Sequence, residues 1–193
     1  ATRFYKSSQA EARQNLLARL GPGARLEWLP LEAIAYRGCQ AVNAMRFAER
    51  AERLQALGIK TPDIRECCWI DRDKAVSLCL YQPLEGTPLD SLFRDSRSEF
   101  DALIPRLASY IHHLHQLGIY FRSLHLGNIL LTADGGFGLI DFLDIRFKGR
   151  PLGRMLIKRN FQHLHNYLLR RKVKNFPWEE LTSAYTEASK SSS

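Results

Sequence analysis

The stretch YFRSLHLGNILLTADGGFGLIDF, residues 120–142, indicates the fold of this chain more clearly than any other. It predicts two short apolar strands, residues 128–131 and 137–140, joined by an Ala-Asp-Gly-Gly turn at residues 133–136. Glycine accepts the positive φ angle that tight reversals need. Because a hairpin returns the chain to its starting edge, polar groups before the first strand and after the second are expected at one rim.

Those polar groups predict a metal-binding pair. A cluster precedes the first strand (Arg122, Ser123, His125 and Asn128), and Asp141 follows the second. Asn128 and Asp141 carry a carboxamide and a carboxylate, which are the hard oxygen ligands that Mg²⁺ prefers. The sequence therefore predicts that these two side chains lie close together and hold a magnesium ion.

The same stretch resembles a known family. The run R-x-L-H-x-G-N-I-L followed by I-D-F is similar to the catalytic loop and metal-binding segment of the protein-kinase-like fold. The phrase L-G-I-x-T-P at residues 57–62 and an arginine-rich C-terminal region narrow the resemblance to the lipopolysaccharide core kinases, including their toluene-tolerance and ice-nucleation-type members. The resemblance covers roughly residues 3–170, although residues 24–39 have no clear counterpart in that family.

The resemblance implies an α+β, protein-kinase-like fold with two lobes. The N-terminal lobe, residues 1–83, is expected to hold a small sheet and a helix at residues 40–57, whose apolar residues recur every three or four positions. The C-terminal lobe, residues 84–188, is expected to be reduced, mainly helical, and to carry the catalytic-like loop 120–142. Residues 189–193 are polar and predicted to be disordered.

The resemblance also implies the cofactors ATP and Mg²⁺. Asn128 and Asp141 are the implied magnesium ligands, and Lys6, on a first short strand, is the implied lysine for the nucleotide phosphates. Two alternatives stay open: Lys6 is an exposed lysine near the terminus, or the strand at residues 33–37 takes this place with Arg37 instead of lysine.

Two departures from the family pattern bear on activity. Ser123 occupies the position of the catalytic aspartate, and Phe47 that of the inward glutamate of the helix; Glu49, two residues on, points elsewhere. Near neutral pH, a serine hydroxyl cannot act as a general base in the way that a carboxylate does. His125 or Asp144 would therefore have to orient or deprotonate the acceptor hydroxyl. The chain is therefore either a weak ATP-dependent phosphotransferase in cell-envelope biogenesis or solvent tolerance, or a pseudokinase with a scaffolding role.

Positive charge is concentrated in the C-terminal part of the sequence. The net charge is +8, and ten Lys or Arg residues but no Asp or Glu lie between residues 145 and 178. Such a segment predicts an anionic partner: a phosphorylated sugar or lipopolysaccharide-core precursor, or an anionic membrane surface contacted through residues 146–174. No nucleic-acid motif accompanies it, so nucleic acid is not the expected partner. A non-catalytic basic scaffold at a membrane surface or on nucleic acid is the alternative function.

Other features indicate a cytoplasmic protein, at most peripheral at the inner membrane. No run of eighteen apolar residues and no signal-like start is present. The four cysteines form no C-x-x-C pair and are expected to be reduced structural thiols. His112, His113 and His115 are interpreted as packing or exposed histidines, because neighbouring helix positions face apart.

Overall fold

The computed structural model describes the backbone of residues 5–6 and 32–37 and the whole residues 44–73 and 76–191. The chain divides into two compact units, Ala1–Leu84 and Glu85–Ser193. Helices and small antiparallel sheets occur together, so the predicted α+β class is confirmed. In the described residues, every helix is too short or too polar to cross a lipid bilayer.

The N-terminal unit contains a four-stranded antiparallel sheet in the order β1-β2-β4-β3. Its strands are β1 (Tyr5–Lys6), β2 (Glu32–Arg37), β3 (Asp63–Asp71) and β4 (Val76–Gln82). Strands β3 and β4 pair antiparallel, and the register of their pairing shifts near each end of β3. The first four residues of β4 are all buried, so this strand forms the centre of the unit's core.

Helix α1 (Ala44–Ala56) packs against this sheet through the predicted apolar stripe. Its buried residues recur at intervals of three and four: Ala44, Phe47, Ala51 and Leu54. The backbone N–H of Ala44 donates to Ser77 Oγ at 3.0 Å, which ties the start of the described helix to β4. Residues 40–43 of the predicted helix lie outside the described residues. The helix ends before Gly58, whose φ of 76° lies in the left-handed region that favours glycine.

The C-terminal unit is mainly helical. Its helices are α2 (Leu89–Asp95), α3 (Arg97–Gln116), α4 (Arg154–Arg170) and α5 (Trp178–Ser191). Helix α3 has an apolar stripe that is buried, since Phe100, Ile104, Leu107, Ile111 and Leu114 are each 3% exposed or less. In α1 and α3, the buried residues thus follow the apolar period of about 3.6 residues that is typical of a helix packed on a core.

Two small sheets complete this unit. Strands β5 (Thr87–Pro88), β7 (Ile129–Leu131) and β8 (Phe137–Leu139) form one sheet, and β6 (Ile119–Phe121) pairs with β9 (Ile145–Phe147) in the other. The predicted hairpin is confirmed as β7 and β8. Residues 132–136 connect the two strands and all lie outside the pairing, as the predicted strand bounds require. Asp134 Oδ1 closes this loop by accepting from the Thr132 hydroxyl and the Gly136 N–H.

A buried polar network joins three helices to strand β6. His115 on α3 contacts Tyr185 OH on α5 at 2.7 Å and Asn160 Oδ1 on α4 at 3.1 Å. Asn160 Nδ2 donates to the carbonyl of Phe121, the last residue of β6. Every polar atom of this chain of contacts is satisfied, which is what keeps its burial from being costly. The network fixes the point from which the catalytic-like loop departs.

The two other histidines of α3, His112 and His113, are a packing residue and an exposed residue, as predicted. His112 is buried, with its ring edge-on to that of Tyr185, and His113 is exposed. Within the described ranges, no group of three or more His, Cys, Asp or Glu side chains is placed to hold a metal ion.

The disorder predicted for residues 189–193 is wrong for its first three residues. Helix α5 continues through Ser191, and residues 192–193 lie outside the described part of the chain. The hydroxyls of Ser189 and Ser191 donate to the carbonyls of Thr186 and Glu187 one turn earlier. The helix to which these polar residues belong is anchored on the core by the buried Leu181 and Tyr185.

Candidate functional site

Within the predicted catalytic-like loop 120–142, residues 122–128 connect β6 to β7 and are held in place by buried leucines. Leu124 and Leu126 are buried, each 2% exposed, and alternate with the polar residues Ser123 and His125. The Leu124 N–H donates to the Phe121 carbonyl at 3.1 Å, and a single 3₁₀ turn, Leu126–Asn128, leads into β7. The apolar residues thus fix the loop while the polar ones stay half-buried at its surface.

Ser123 and Asp144 are brought together by the tertiary structure. Ser123 Oγ donates a hydrogen bond of 2.5 Å to Asp144 Oδ2. The other carboxylate oxygen, Oδ1, is buried and has no hydrogen-bond partner. Asp144 sits between β8 and β9, where the fully buried Phe142 ring anchors the turn. The serine at the expected aspartate position is therefore in contact with a carboxylate from a later segment.

His125 lies at the same site, stacked flat on Tyr167 of α4. The two ring centroids are 4.2 Å apart and the planes differ by 7°. His125 Nδ1 is buried and has no hydrogen-bond partner. Burial lowers the pKa of His125, and the carboxylates of Asp141 and Asp90 counteract that effect in part. A lowered pKa keeps the imidazole neutral at neutral pH, so one ring nitrogen can accept a proton.

Asn128 and Asp141 flank the β-hairpin at its open end. Ile129 pairs with Leu139, and the Ile140 N–H donates to the Asn128 carbonyl at 3.0 Å. The backbone therefore carries both residues to one rim of the hairpin.

Their side chains match the donor set of a magnesium–phosphate site. The buried Asn128 donates through Nδ2 to the Ser123 carbonyl at 3.2 Å, which turns the amide oxygen away from that carbonyl. Asp141 is exposed and has a φ of 51°, a left-handed conformation that non-glycine residues adopt at a cost. One amide oxygen and one carboxylate fit Mg²⁺, which usually completes its coordination with phosphate and water oxygens.

A cavity of about 310 Å³ adjoins Ser123 and Asp144. Arg122, Arg170 and His163 also line it, so most of the charge-bearing groups around the carboxylate are basic. Burial and the guanidinium groups of Arg159 and Arg122 lower the pKa of His163. This cavity combines a carboxylate with a basic wall and suits an anionic molecule that carries a hydroxyl group.

The basic segment forms an exposed surface. All ten Lys and Arg side chains between residues 145 and 178 are exposed, and within the described residues no ion pair joins them to a carboxylate. Met155, near the start of α4, is 83% exposed among Arg150, Arg154 and Lys158. The segment is therefore available to an anionic partner.

Several contributors to the site were not predicted as site residues. Tyr167, Asp90 and His163 were not predicted as site residues, and Arg170 was predicted only as part of the basic segment 146–174 and not as a residue of this cavity. Each lies on a different turn or helix from the loop it approaches, and no spacing in the sequence signals such contacts.

The N-terminal part of the predicted site is described only in part. Lys6 and Arg37 belong to β1 and β2, which pair with each other, but their side chains lie outside the described residues, so their role stays a prediction. Phe47 is buried against Tyr81, with ring centroids 5.7 Å apart, whereas Glu49 is exposed. The buried side of α1 carries no carboxylate at any of its described positions.

Comparison with known protein families identifies the family to which this chain belongs. The model of the lipopolysaccharide kinase (Kdo/WaaP) family matches residues 35–185, most of the chain. The chain belongs to the lipopolysaccharide kinase family. The match includes the loop, the hairpin and Asp144, and it begins after Lys6, so the family resemblance starts later than predicted. A solved structure of WaaP in complex with acyl carrier protein is 16% identical, with a TM-score of 0.48, over 82% of this chain and 80% of that one.

A second family matches the start of the chain. The model of the UreD urease accessory protein covers residues 1–52. UreD of Leptothrix cholodnii is 60% identical over 47 residues, which are 24% of this chain and 17% of that protein. UreD of Methylibium petroleiphilum is 53% identical over 58 residues, 30% of this chain and 19% of that protein. The chain spans about a fifth of the length of these curated relatives, and sequence reasoning missed this likeness entirely.

Proposed function

We propose that this member of the lipopolysaccharide kinase family is a weak, ATP-dependent phosphotransferase in which Asp144 replaces the aspartate missing at position 123. The contact between Ser123 Oγ and Asp144 Oδ2 carries this proposal. A general base must lie within hydrogen-bonding reach of the proton that it removes. Asp144 has one oxygen engaged by Ser123 and a second oxygen without a protein partner, beside a cavity.

The chemistry assigned to these residues is simple. The acceptor hydroxyl donates its proton to the Asp144 carboxylate as the acceptor oxygen bonds to the γ-phosphorus, and the bond from that phosphorus to the ADP oxygen breaks. Ser123 holds the carboxylate in one orientation throughout. Asn128 and Asp141 would hold Mg²⁺, which when bound neutralises phosphate charge. His125, which is neutral and lines the same cavity as Asp144, is the alternative base.

The acceptor assigned to this site is a phosphorylated sugar or another lipopolysaccharide-core precursor. Arg122 and Arg170 supply positive charge on the wall of the cavity, while Asp144 supplies the proton acceptor. Arginine recognises phosphate through paired N–H donors, so the two guanidinium groups suit a substrate that already bears phosphate. A role in cell-envelope biogenesis, of the kind that solvent tolerance requires, follows from such a substrate.

Binding of Mg–ATP is the first test. At an ATP concentration ten times Kd, the thermal unfolding midpoint of the full chain is expected to rise by about 3–6 °C. Asp141→Ala is expected to abolish the shift, because it removes the only carboxylate of the proposed magnesium pair. Asp95→Ala, which removes an exposed carboxylate at the end of α2, is the control and is expected to keep the shift. No shift at millimolar ATP would rule out the phosphotransferase.

A second candidate is a pseudokinase that keeps the fold without the chemistry. The buried Phe47 favours it, because the inward side of α1 then offers no carboxylate to pair with a phosphate-binding lysine. Mg–ATP binding without any release of ADP, in the presence of phosphorylated core sugars, would favour this second function over the first.

Peripheral attachment to an anionic membrane is expected through residues 146–174. Each lysine or arginine near such a surface contributes about 1 kcal/mol, and salt screens the attraction. The chain is expected to sediment with phosphatidylglycerol vesicles at low salt and to be released at high salt. Lys158→Glu is expected to weaken sedimentation several-fold, whereas Lys190→Glu, an equal charge change on α5, is expected to have little effect. Sedimentation that is insensitive to salt would contradict the attachment.

A further inference from the structure

Two cysteines face each other across the sheet of the N-terminal unit. Cys67 on β3 and Cys79 on β4 are directly paired residues of an antiparallel ladder, and their sulfur atoms lie 2.6 Å apart. Paired residues in such a ladder have Cα atoms about 4.5–5.5 Å apart. A disulfide needs about 4.4–6.8 Å between its Cα atoms. The backbone of these strands can therefore accept a disulfide without rearrangement.

The two thiols differ in their access to solvent. Cys79 is fully buried, whereas Cys67 is half-buried at the sheet surface. The hydrogen bond with Cys67 and burial raise the pKa of the Cys79 thiol well above its ordinary value, so Cys79 stays protonated. An oxidant arriving from solvent thus reaches Cys67 first. Cys68 is paired with Leu78 and, as the next residue of the strand, has its side chain on the opposite face.

We propose that Cys67 and Cys79 form a reversible disulfide when the protein meets a peroxide. The Cys67 thiolate attacks the O–O bond of hydrogen peroxide, becomes a sulfenic acid and releases hydroxide. The Cys79 sulfur then bonds to the Cys67 sulfur, and the sulfenic oxygen leaves as water. In total, two thiols are oxidised and one peroxide is reduced to two waters. A dithiol reverses the reaction by exchange.

The consequence is a cross-link between β3 and β4, the two strands that form the longest ladder of the unit. The linked residues are 12 positions apart, so the disulfide closes a short loop and restricts the unfolded chain. Oxidation is therefore expected to raise the resistance of this sheet to unfolding. The inference is independent of the proposed phosphotransfer, since it concerns only these two thiols.

Peptide mapping tests the disulfide. The full chain is treated with hydrogen peroxide, blocked at its remaining thiols and digested with trypsin without reductant. Peptides 66–72 and 75–94, which trypsin separates, are expected to remain joined with a mass about 2 Da below their sum and to separate on reduction. The thermal midpoint of the oxidised chain is expected to rise by about 5 °C and to return with dithiol.

Matched variants keep the result decisive. Cys67→Ser is expected to abolish the joined peptides, and its half-buried position makes it the variant that disturbs the core least. Cys68→Ser, which changes the adjacent cysteine on the opposite face, is expected to retain the joined peptides. A link that involves Cys68 or Cys39, a link between two chains, or oxidation of Cys67 to sulfinic acid with no link would each overturn the proposal.

Discussion

The free energy of unfolding is expected to fall by about 3 kcal/mol as the pH drops from 7 to 4, because of His115. Burial is the main cause that lowers the pKa of this histidine to about 4, against an ordinary value of 6.5; the hydrogen bond with Asn160 opposes it. Between pH 6.5 and pH 4, His115 is therefore mostly protonated in the unfolded chain and mostly neutral in the folded chain. The stabilising contribution of neutral His115 is complete above pH 6.5 and is lost by pH 4.

Chemical denaturation across this pH range provides the measurement. His115→Gln removes the titrating group while keeping a polar side chain near Tyr185 and Asn160, so its stability is expected to be lower at pH 7 but to change less with pH. His113→Gln, which changes an exposed histidine on the same helix, is expected to follow the unmodified protein. A His115→Gln variant with an unchanged pH dependence would contradict the assignment.

Loss of phosphotransfer in Asp144→Asn is the second large expected effect. Removing a general base typically slows a reaction by about 10²–10⁴-fold, so kcat is expected to fall by that amount. Mg–ATP binding is expected to be unchanged, because the predicted magnesium ligands are Asn128 and Asp141. Ser123→Ala is expected to reduce kcat by about tenfold only, since it removes the hydrogen bond that orients the carboxylate and leaves the carboxylate itself.

The activity assay uses ATP and phosphorylated core sugars, with Asp101→Asn on α3 as the exposed control. That carboxylate pairs with Arg97 on its own helix and is expected to have no effect on kcat. If His125→Gln abolishes turnover while Asp144→Asn does not, the base is His125. Equal rates for Asp144→Asn and the unmodified chain, with His125→Gln also active, would remove both residues from the proposed chemistry.

The sequence determined those parts of the structure that depend on local patterns. The stripes of α1 and α3 follow the helical period, so their buried residues could be predicted from spacing alone. The hairpin of β7 and β8 was predictable because two apolar runs flank a glycine-containing turn. The family resemblance, confirmed over residues 35–185, came from the motif in this same stretch. The likeness of residues 1–52 to UreD has no periodic signature, so spacing could not predict it.

Only the tertiary structure decided how the polar groups of the site combine. Ser123 and Asp144 are 21 residues apart and meet because β6 pairs with β9 and carries the two loops together. His125 finds Tyr167 on a helix that begins after both loops have ended. Side-chain periodicity reports which face of an element is buried, but it holds no information about which other element covers that face. Contacts between distant segments depend on how the whole core packs, and the residues of the candidate site are brought together by that packing.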